Sequence, residues 1–114
     1  MGLDTLASRT PGRLSLTDED ERAFDGLELC GGIVSGGGGS FRGKVYDGLV
    51  LGVTGVSLYQ EWIPPETVGE MAEALERCDA ESVAEPGSAP EVVRDLARFF
   101  RICDDRGLGL IGWW

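Results

Sequence analysis

Apolar residues spaced three or four positions apart predict a helix over residues 65–78. At 100° per residue one side of this helix is apolar and consists of Val68, Met71, Ala72, Leu75 and Cys78. The other side is an acidic strip made of Glu66, Glu70 and Glu73, with Arg77 beside them. Pro65 suits the first helical position, because the N–H that proline lacks would have no partner there. We therefore expect a helix from Pro65 to Cys78 that packs by one face.

A second amphipathic pattern covers residues 88–107. Ser88 and Glu91 form a Ser-Ala-Pro-Glu capping box, and Gly107 supplies the left-handed residue that often follows a helix. The inner face of the predicted helix is formed by Val92, Val93, Leu96, Phe99, Phe100 and Cys103. Its outer face carries a stripe of three arginines, Arg94, Arg98 and Arg101. This stripe either binds phosphate or an acidic partner, or pairs with the acidic strip of the preceding helix.

Shorter apolar segments at both ends of the chain predict strands. We expect one strand over residues 2–8, one over the first half of 27–34, and one over 108–114. The last segment is apolar on both faces, so we expect it to be docked with its two tryptophans. Between the first two strands, Thr17 and the three acids after it predict a short helix that ends near residue 24 or 25.

The middle of the chain is rich in Val, Leu and Tyr. Residues 44–53 and 56–62 predict either two strands of a hairpin or one bulged strand. Asp47-Gly48 and Thr54-Gly55 are available as turns. Pro64-Pro65 forbids continued strand pairing beyond this region.

Together these elements predict a single small α+β domain spanning residues 1–114. A chain of 114 residues has room for one domain and one core. We expect a sheet of three to five strands with the two long amphipathic helices packed on one face. Residues 79–87 contain Pro86-Gly87 and predict a linker between the two helices. Residues 35–43 predict a glycine-rich loop.

The glycine-rich segment matches the spacing G-x-x-x-x-G-K from Gly38 to Lys44. In a phosphate-binding loop of this kind, backbone N–H groups and the lysine hold phosphate oxygens, and a following Ser or Thr holds Mg²⁺. Here Val45 stands at that last position, and valine cannot coordinate a metal ion. The alternative to nucleotide binding is a connection between two strands, since glycine tolerates any backbone conformation.

A candidate ligand site combines this loop with the end of the predicted strand 56–62. Ends of strands are common places for binding sites, so aromatic and charged side chains there could line a pocket. The alternative is that the aromatic rings fill the rim of the core and the glutamate is solvated. The candidate ligand-binding residues are Ser40, Arg42, Lys44, Tyr59, Glu61 and Trp62.

Charge and hydropathy exclude some partners. The chain has 20 acidic and 10 basic residues and a net charge of −10, which repels nucleic-acid backbones and anionic membranes. No apolar run is long enough to span a bilayer, and residues 1–10 lack the pattern of a signal peptide. We therefore expect a cytoplasmic protein that binds neither nucleic acid nor membrane.

The residue types that most often carry catalysis are scarce. The chain has no histidine, so Ser-His-Asp and Cys-His catalysis cannot be assembled. Its three cysteines are widely spaced, which predicts neither a zinc site nor a disulfide framework. Cys78 and Cys103 lie on packing faces and predict core filling, while Cys30 lies beside Gly31-Gly32, where a reactive thiol is the alternative. We expect no metal site and no cofactor.

Four segments resemble a small family of uncharacterised bacterial and archaeal proteins. They are Met1–Thr5, Phe41–Asp47, Ser57–Pro65 and Gly107–Trp114, so the resemblance extends over nearly the whole chain. It implies one compact domain. It implies no activity and no functional residue.

The leading functional hypothesis is a non-enzymatic domain that binds a protein partner or associates with itself. The alternative is a module for small anionic ligands, or a minor enzyme, that uses the glycine-rich loop. A third hypothesis is an acidic mimic of a nucleic acid. The catalytic residues of any enzyme activity are not indicated by the sequence.

Overall fold

The structure is a computed structural model that describes residues 3–11, 16–24, 40–78 and 90–113. These residues form a small α+β domain with a three-stranded antiparallel sheet and four helices. In chain order the elements are β1 (Asp4–Ser8), α1 (Asp18–Ala23), β2 (Ser40–Phe41), α2 (Gly43–Thr54), α3 (Pro65–Arg77), α4 (Pro90–Asp105) and β3 (Gly109–Trp113).

Strand β1 lies in the centre of the sheet, between β2 and β3. Thr5 is opposite Phe41 on one side and Gly112 on the other, and Leu6 is opposite Ser40 and Ile111. Because side chains alternate along a strand, Thr5 and Phe41 point to one face and Leu6 and Ile111 to the other. We call these the inner face and the outer face.

The helices α2, α3 and α4 pack on the inner face. Leu3, Ala7, Phe41 and Leu110 belong to the same buried cluster as the apolar sides of these helices. An aromatic group lies at its centre, in which the ring centroid of Phe99 is 4.6 Å from that of Phe24 and 4.9 Å from that of Phe41. Aromatic pairs at these separations contribute about 0.5 to 1.5 kcal/mol beyond the area that they bury.

The two amphipathic helices are confirmed. Helix α3 spans Pro65–Arg77 with Pro65 in its first turn, and four of its five predicted inward residues are buried. Helix α4 ends at Asp105, and Gly107 then takes the left-handed conformation with φ 68°. The predicted capping residue Ser88 and the predicted linker 79–87 lie outside the described residues.

The prediction of strands over residues 44–53 and 56–62 is wrong, because the first stretch is helix α2 and the second is an irregular connection without a strand. Tyr46, Leu49 and Val50 are spaced as in a helix and are all buried on the core side. The pair Asp47-Gly48 lies inside the helix, while Gly55 ends it with φ 76° and donates its N–H to the Leu51 carbonyl. Three helices of 12 to 16 residues therefore pack on the sheet instead of two.

Both strands predicted at the ends of the chain are present, but the environment predicted for Trp113 is not. Strands β1 and β3 are confirmed, but Trp113 is 60% exposed, so the docking predicted for this residue is wrong. Its strand position places it on the outer face, beyond the cover of the three helices.

The helix predicted after Thr17 is confirmed as α1, with a capping box between Thr17 and Asp20. The strand predicted within 27–34 and the loop residues 35–39 lie outside the described residues.

Candidate functional site: a tryptophan groove on the sheet

The outer face of the sheet carries a row of large side chains along β1 and β3. Leu6 is directly opposite Ile111, and Asp4 is directly opposite Trp113. Directly opposed residues on antiparallel strands hold their Cβ atoms about 5 Å apart on the same face. Asp4, Leu6, Ile111 and Trp113 are therefore neighbours on the outer face, where Leu6 is buried and Trp113 is exposed.

The segment 60–63 lies alongside β3 and adds a further side to this row. Ile63 and Leu110 exchange two backbone hydrogen bonds of 2.8 and 2.9 Å, and the Gly112 N–H donates to the Gln60 carbonyl at 3.0 Å. These bonds occupy the edge of β3 that does not pair with β1. They also fix the position of Glu61 and Trp62 relative to the strand.

Trp62 lies directly over Gly109, the first residue of β3. A Cβ atom built on Gly109 would be 2.5 Å from the ring atom Cη2 of Trp62 and 2.5 Å from the Ile63 carbonyl oxygen. A side chain at this position cannot be accommodated unless the indole and the backbone separate. The glycine therefore allows the ring to lie against the strand.

These side chains enclose a groove of about 510 Å³, which we call the tryptophan groove. The described residues of its lining are apolar except for Glu61, which is exposed at its rim. A volume of this size is within the range of small-ligand pockets and can hold the side chains of a short peptide. The described residues that line it are Leu6, Pro11, Glu61, Trp62, Ile111, Gly112 and Trp113.

Helix α2 positions the segment that leads into the groove. The Asp47 carboxylate accepts a hydrogen bond of 2.6 Å from the Leu58 N–H and one of 3.0 Å from the Ser57 hydroxyl. Leu58 is buried, so these bonds satisfy polar groups at a point where the chain turns inward. The chain then continues to Glu61 and Trp62 at the groove.

Of the six predicted ligand-binding residues, the structure brings two together in the groove, Glu61 and Trp62. Tyr59 is exposed and does not line it, although it is close in sequence. Ser40 is a buried residue of β2, and Arg42 and Lys44 are exposed at the start of α2. The sequence interpretation missed the other half of the site, namely Leu6, Pro11, Ile111 and Trp113.

The motif Gly38 to Lys44 has a structural context unlike a phosphate cradle in the part that the structure describes. Ser40 and Phe41, two of its four variable positions, form strand β2, and the Phe41 ring is fully buried. The Lys44 N–H, at the start of α2, donates to the Leu3 carbonyl at 3.2 Å. These groups serve the sheet and the core. A role for Ser40, Arg42 and Lys44 in binding an anion stays a prediction.

A second depression of about 670 Å³ lies between α3 and α4 and contains the predicted arginine stripe. Arg101 donates to both carboxylate oxygens of Glu76 at 3.0 and 2.6 Å, and to Asp104 at 2.6 Å. The hydrogen bond from Arg101 lowers the pKa of Glu76. Arg101 thus pairs with Glu76, an acidic residue of α3 that lies outside the predicted strip of Glu66, Glu70 and Glu73, while Arg94 and Arg98 are exposed. Pairing of the stripe with the strip itself stays a prediction.

The described thiols are structural. Cys103 is fully buried among apolar side chains of the core, and this burial raises the pKa of its thiol. Cys78 packs against the same core and is partly exposed. Cys30 lies outside the described residues. In the described ranges, no group of three or more Cys, Asp or Glu is arranged to hold a metal ion.

Comparison with protein-family models, curated proteins and solved structures gave no significant match. The resemblance of four sequence segments to a small family therefore stays a prediction. Within the described residues, none of the helices has the length and apolar character needed to cross a membrane.

Proposed function

We propose that this protein is a non-enzymatic interaction domain that binds a segment of a partner protein in the tryptophan groove. One observation carries the proposal: two tryptophans line a single apolar groove, and one of them, Trp113, is 60% exposed. Exposed tryptophan is costly in water and is common at the centre of protein interfaces. Burial of the Trp113 ring against a partner would remove this exposed apolar surface from water.

The shape of the groove supports binding of an extended segment. Its floor is the outer face of β1 and β3, and Trp62 and Trp113 lie at opposite ends of β3. A partner side chain inserted between them would contact apolar groups on several sides. Buried aromatic anchors of this kind supply most of the binding energy in many interfaces, while the surrounding contacts exclude water.

The chemistry of the lining supports binding more than catalysis. Among the described residues that line the groove, Glu61 is the one with an ionisable side chain. General acid–base chemistry commonly uses a pair of positioned groups, and nucleophilic catalysis needs a nucleophile beside a base. The described part of the lining offers neither arrangement, whereas an apolar surface with one carboxylate is well suited to recognition.

Selection from a displayed library of random short peptides tests this proposal. The full-length protein is immobilised, and the affinity of each enriched peptide is then measured by fluorescence anisotropy with purified variants. We expect Trp113→Ala to weaken binding by about tenfold or more, because a central tryptophan contributes at least about 1 to 2 kcal/mol. Trp113 is exposed, so this variant should remain folded, which circular dichroism and thermal melting will verify.

Leu51→Ala is the matched control. Leu51 is 44% exposed on α2 and does not line the groove, so its truncation removes a similar exposed apolar side chain elsewhere. We expect it to leave peptide affinity unchanged. The proposal is overturned if no peptide is enriched over a blank surface, or if the enriched peptides bind Trp113→Ala and Leu51→Ala as well as they bind the unaltered protein.

A further inference from the structure

We infer that the tryptophan groove is specific for a positively charged side chain, so that the partner segment is basic and carries lysine or arginine. This inference rests on the proposed function and adds the chemistry of the ligand. It is drawn from one carboxylate and two indoles that line the groove, from a second carboxylate beside Trp113, and from the charge of the whole chain. The charge of this ligand is opposite to that of the anionic ligand that the glycine-rich motif predicts.

The first carboxylate belongs to Asp4. Asp4 is directly opposite Trp113 in the β1–β3 pair, and both side chains lie on the outer face. Its oxygen Oδ1 is buried and has no hydrogen-bond partner among the described groups. Asp4 is not among the described residues that line the groove, so its charge acts on a ligand beside Trp113 through its field and not by direct contact.

The second carboxylate belongs to Glu61 and lines the groove itself. Hydrogen bonds between segment 60–63 and β3 hold its backbone in place. Glu61 is exposed at the rim, so it retains its hydration in the free protein and can exchange water for a cationic partner at small cost. A ligand cation would thus meet negative charge from β1 and from the rim.

The indoles of Trp62 and Trp113 supply the complementary surface. A cation over the face of a tryptophan ring is attracted by the negative potential of the ring, and this interaction strengthens where water is excluded. The long methylene chain of lysine or arginine can meanwhile pack on Ile111, which is partly exposed. One basic side chain can therefore contact the apolar floor, the rings and the Glu61 carboxylate together.

The negative net charge of the chain favours a basic partner segment in the groove over an acidic segment or a second copy of the protein. The chain carries a net charge of −10, which attracts a basic segment and repels an acidic one. The same repulsion acts between two copies of the protein and disfavours a second copy as the occupant. No basic side chain is among the described residues that line the groove, so an anionic ligand would find no counter-charge there.

Nuclear magnetic resonance of the indole N–H groups tests the inference with three small probes. They are the N-acetyl amides of trimethyllysine, of its neutral carbon isostere and of glutamate. We expect the cation to shift the Trp62 and Trp113 signals in a saturable way, with affinity about tenfold above that of the isostere. Glutamate amide should leave both signals in place. Lysine and arginine amides, as the unmethylated sources of the same charge, should shift the signals that trimethyllysine shifts.

Variants that each remove a negative charge show which carboxylates attract the cationic probe. Glu61→Gln should weaken binding of the trimethyllysine probe about threefold, and Asp4→Asn combined with Glu61→Gln should weaken it about tenfold. Glu70→Gln removes one exposed charge from α3, away from the groove, and should change nothing. Added salt should weaken the cationic probe and leave the isostere unaffected.

The outcomes separate this inference from the proposed function. Equal binding of the isostere, a stronger response to glutamate amide, or no indole shift with any cation would overturn the inference. If selected peptides nevertheless bind through Trp113, the proposed function stands with a neutral or acidic partner. If no peptide binds through Trp113, both fail.

Discussion

Asp20 and Arg106 form an ion pair that joins the beginning of the described chain to its end. The Arg106 Nε donates to the Asp20 Oδ1 at 2.7 Å across a separation of 86 residues. Arg9, which follows β1, donates to both oxygens of the same carboxylate at 2.7 and 2.8 Å. Asp20 is fully buried. Because it binds both arginines, its carboxylate connects β1, α1 and the turn after α4.

We predict that Asp20→Asn lowers the free energy of unfolding by about 2 to 4 kcal/mol. Removal of one member of a buried ion pair is costly because its partners lose their counter-charge. The cost is reduced here because the side chains of Arg9 and Arg106 are 42% and 32% exposed and can take up water. Urea unfolding measures the change. Asp18 is an exposed acid in the same turn, so Asp18→Asn is the control and should change the free energy of unfolding by about 0.5 kcal/mol or less. An equal loss of stability in both variants would contradict the role of the ion pair.

The same carboxylate predicts a pH dependence of stability. Burial opposes ionisation of Asp20, but hydrogen bonds from Arg106, Thr17 and Arg9 outweigh it, and the pKa lies well below its ordinary value. A carboxyl group with a lowered pKa in the folded state stabilises the fold above its unfolded pKa of about 4 and loses this contribution as the pH falls further.

The difference in unfolding free energy between the unaltered protein and Asp20→Asn should therefore be constant from about pH 7 to 5 and shrink below about pH 4. Urea unfolding of both proteins across this range measures it. A difference that grows as the pH falls would contradict the assignment.

How far the sequence predicts the fold depends on whether the local pattern and the tertiary packing agree. In α3 and α4 the apolar positions, the proline or capping residues and Gly107 all favour the same helix, and these elements were predicted correctly. In α2 they disagree. Tyr46, Leu49 and Val50 have helical spacing, but Val, Leu and Tyr in a short segment also favour a strand, and periodicity does not separate the two in so short a run.

Tertiary contacts, which no local sequence pattern contains, favour the helix over the strand for this segment. The Tyr46 ring packs 5.7 Å from Phe41 in the core, and Asp47 accepts hydrogen bonds from residues that follow the helix. The pair Asp47-Gly48, which favours a turn in isolation, is therefore used for a tertiary anchor within a helix. Packing outweighs local propensity here.

Two glycine substitutions test the helix α2 directly. Gly52 is exposed in its last turns, and a Cβ there meets no atom within 4 Å, so Gly52→Ala should stabilise the protein by about 0.5 to 1 kcal/mol. Gly55 has φ 76°, so Gly55→Ala should destabilise it by about 1 kcal/mol. Thermal unfolding followed by circular dichroism measures both. A loss of stability in Gly52→Ala, or no loss in Gly55→Ala, would contradict the helix and its left-handed end.

The candidate site was predictable only on one side. Glu61 and Trp62 follow a local rule, since they are polar and aromatic residues just before a helix. Leu6 and Trp113 come to the groove through pairing of β1 with β3, which joins opposite ends of the chain. One short segment cannot encode that contact, so a sequence pattern finds half of the groove and misses the rest.

We also predict that Cys103 resists alkylation in the native protein. It is fully buried, and burial raises the pKa of its thiol, so the reactive thiolate is scarce and inaccessible. Iodoacetamide followed by peptide mass spectrometry should label Cys78, which is partly exposed, well before Cys103. In urea the two cysteines should react at similar rates. Equal labelling of both in the native state would show that the core around Cys103 opens readily.

The contact between Trp62 and Gly109 supplies the sharpest test of the groove. Because the added Cβ would meet the Ile63 carbonyl oxygen and the indole ring at 2.5 Å, Gly109→Ala should displace Trp62 from β3. Overpacking of this kind typically costs about 1 to 3 kcal/mol. We expect a lower melting temperature and a shifted Trp62 indole N–H signal. Gly52→Ala is the matched control, since it adds the same methyl group where there is open space.

The effect on binding separates a local change from general destabilisation. Well below its melting temperature, Gly109→Ala should remain folded by circular dichroism yet bind the selected peptides more weakly, because one wall of the groove is displaced. Gly52→Ala should bind them normally. If Gly109→Ala melts earlier but binds with unchanged affinity, then Trp62 serves the stability of the sheet, and the binding surface is formed by Trp113 and its neighbours on β1 without it.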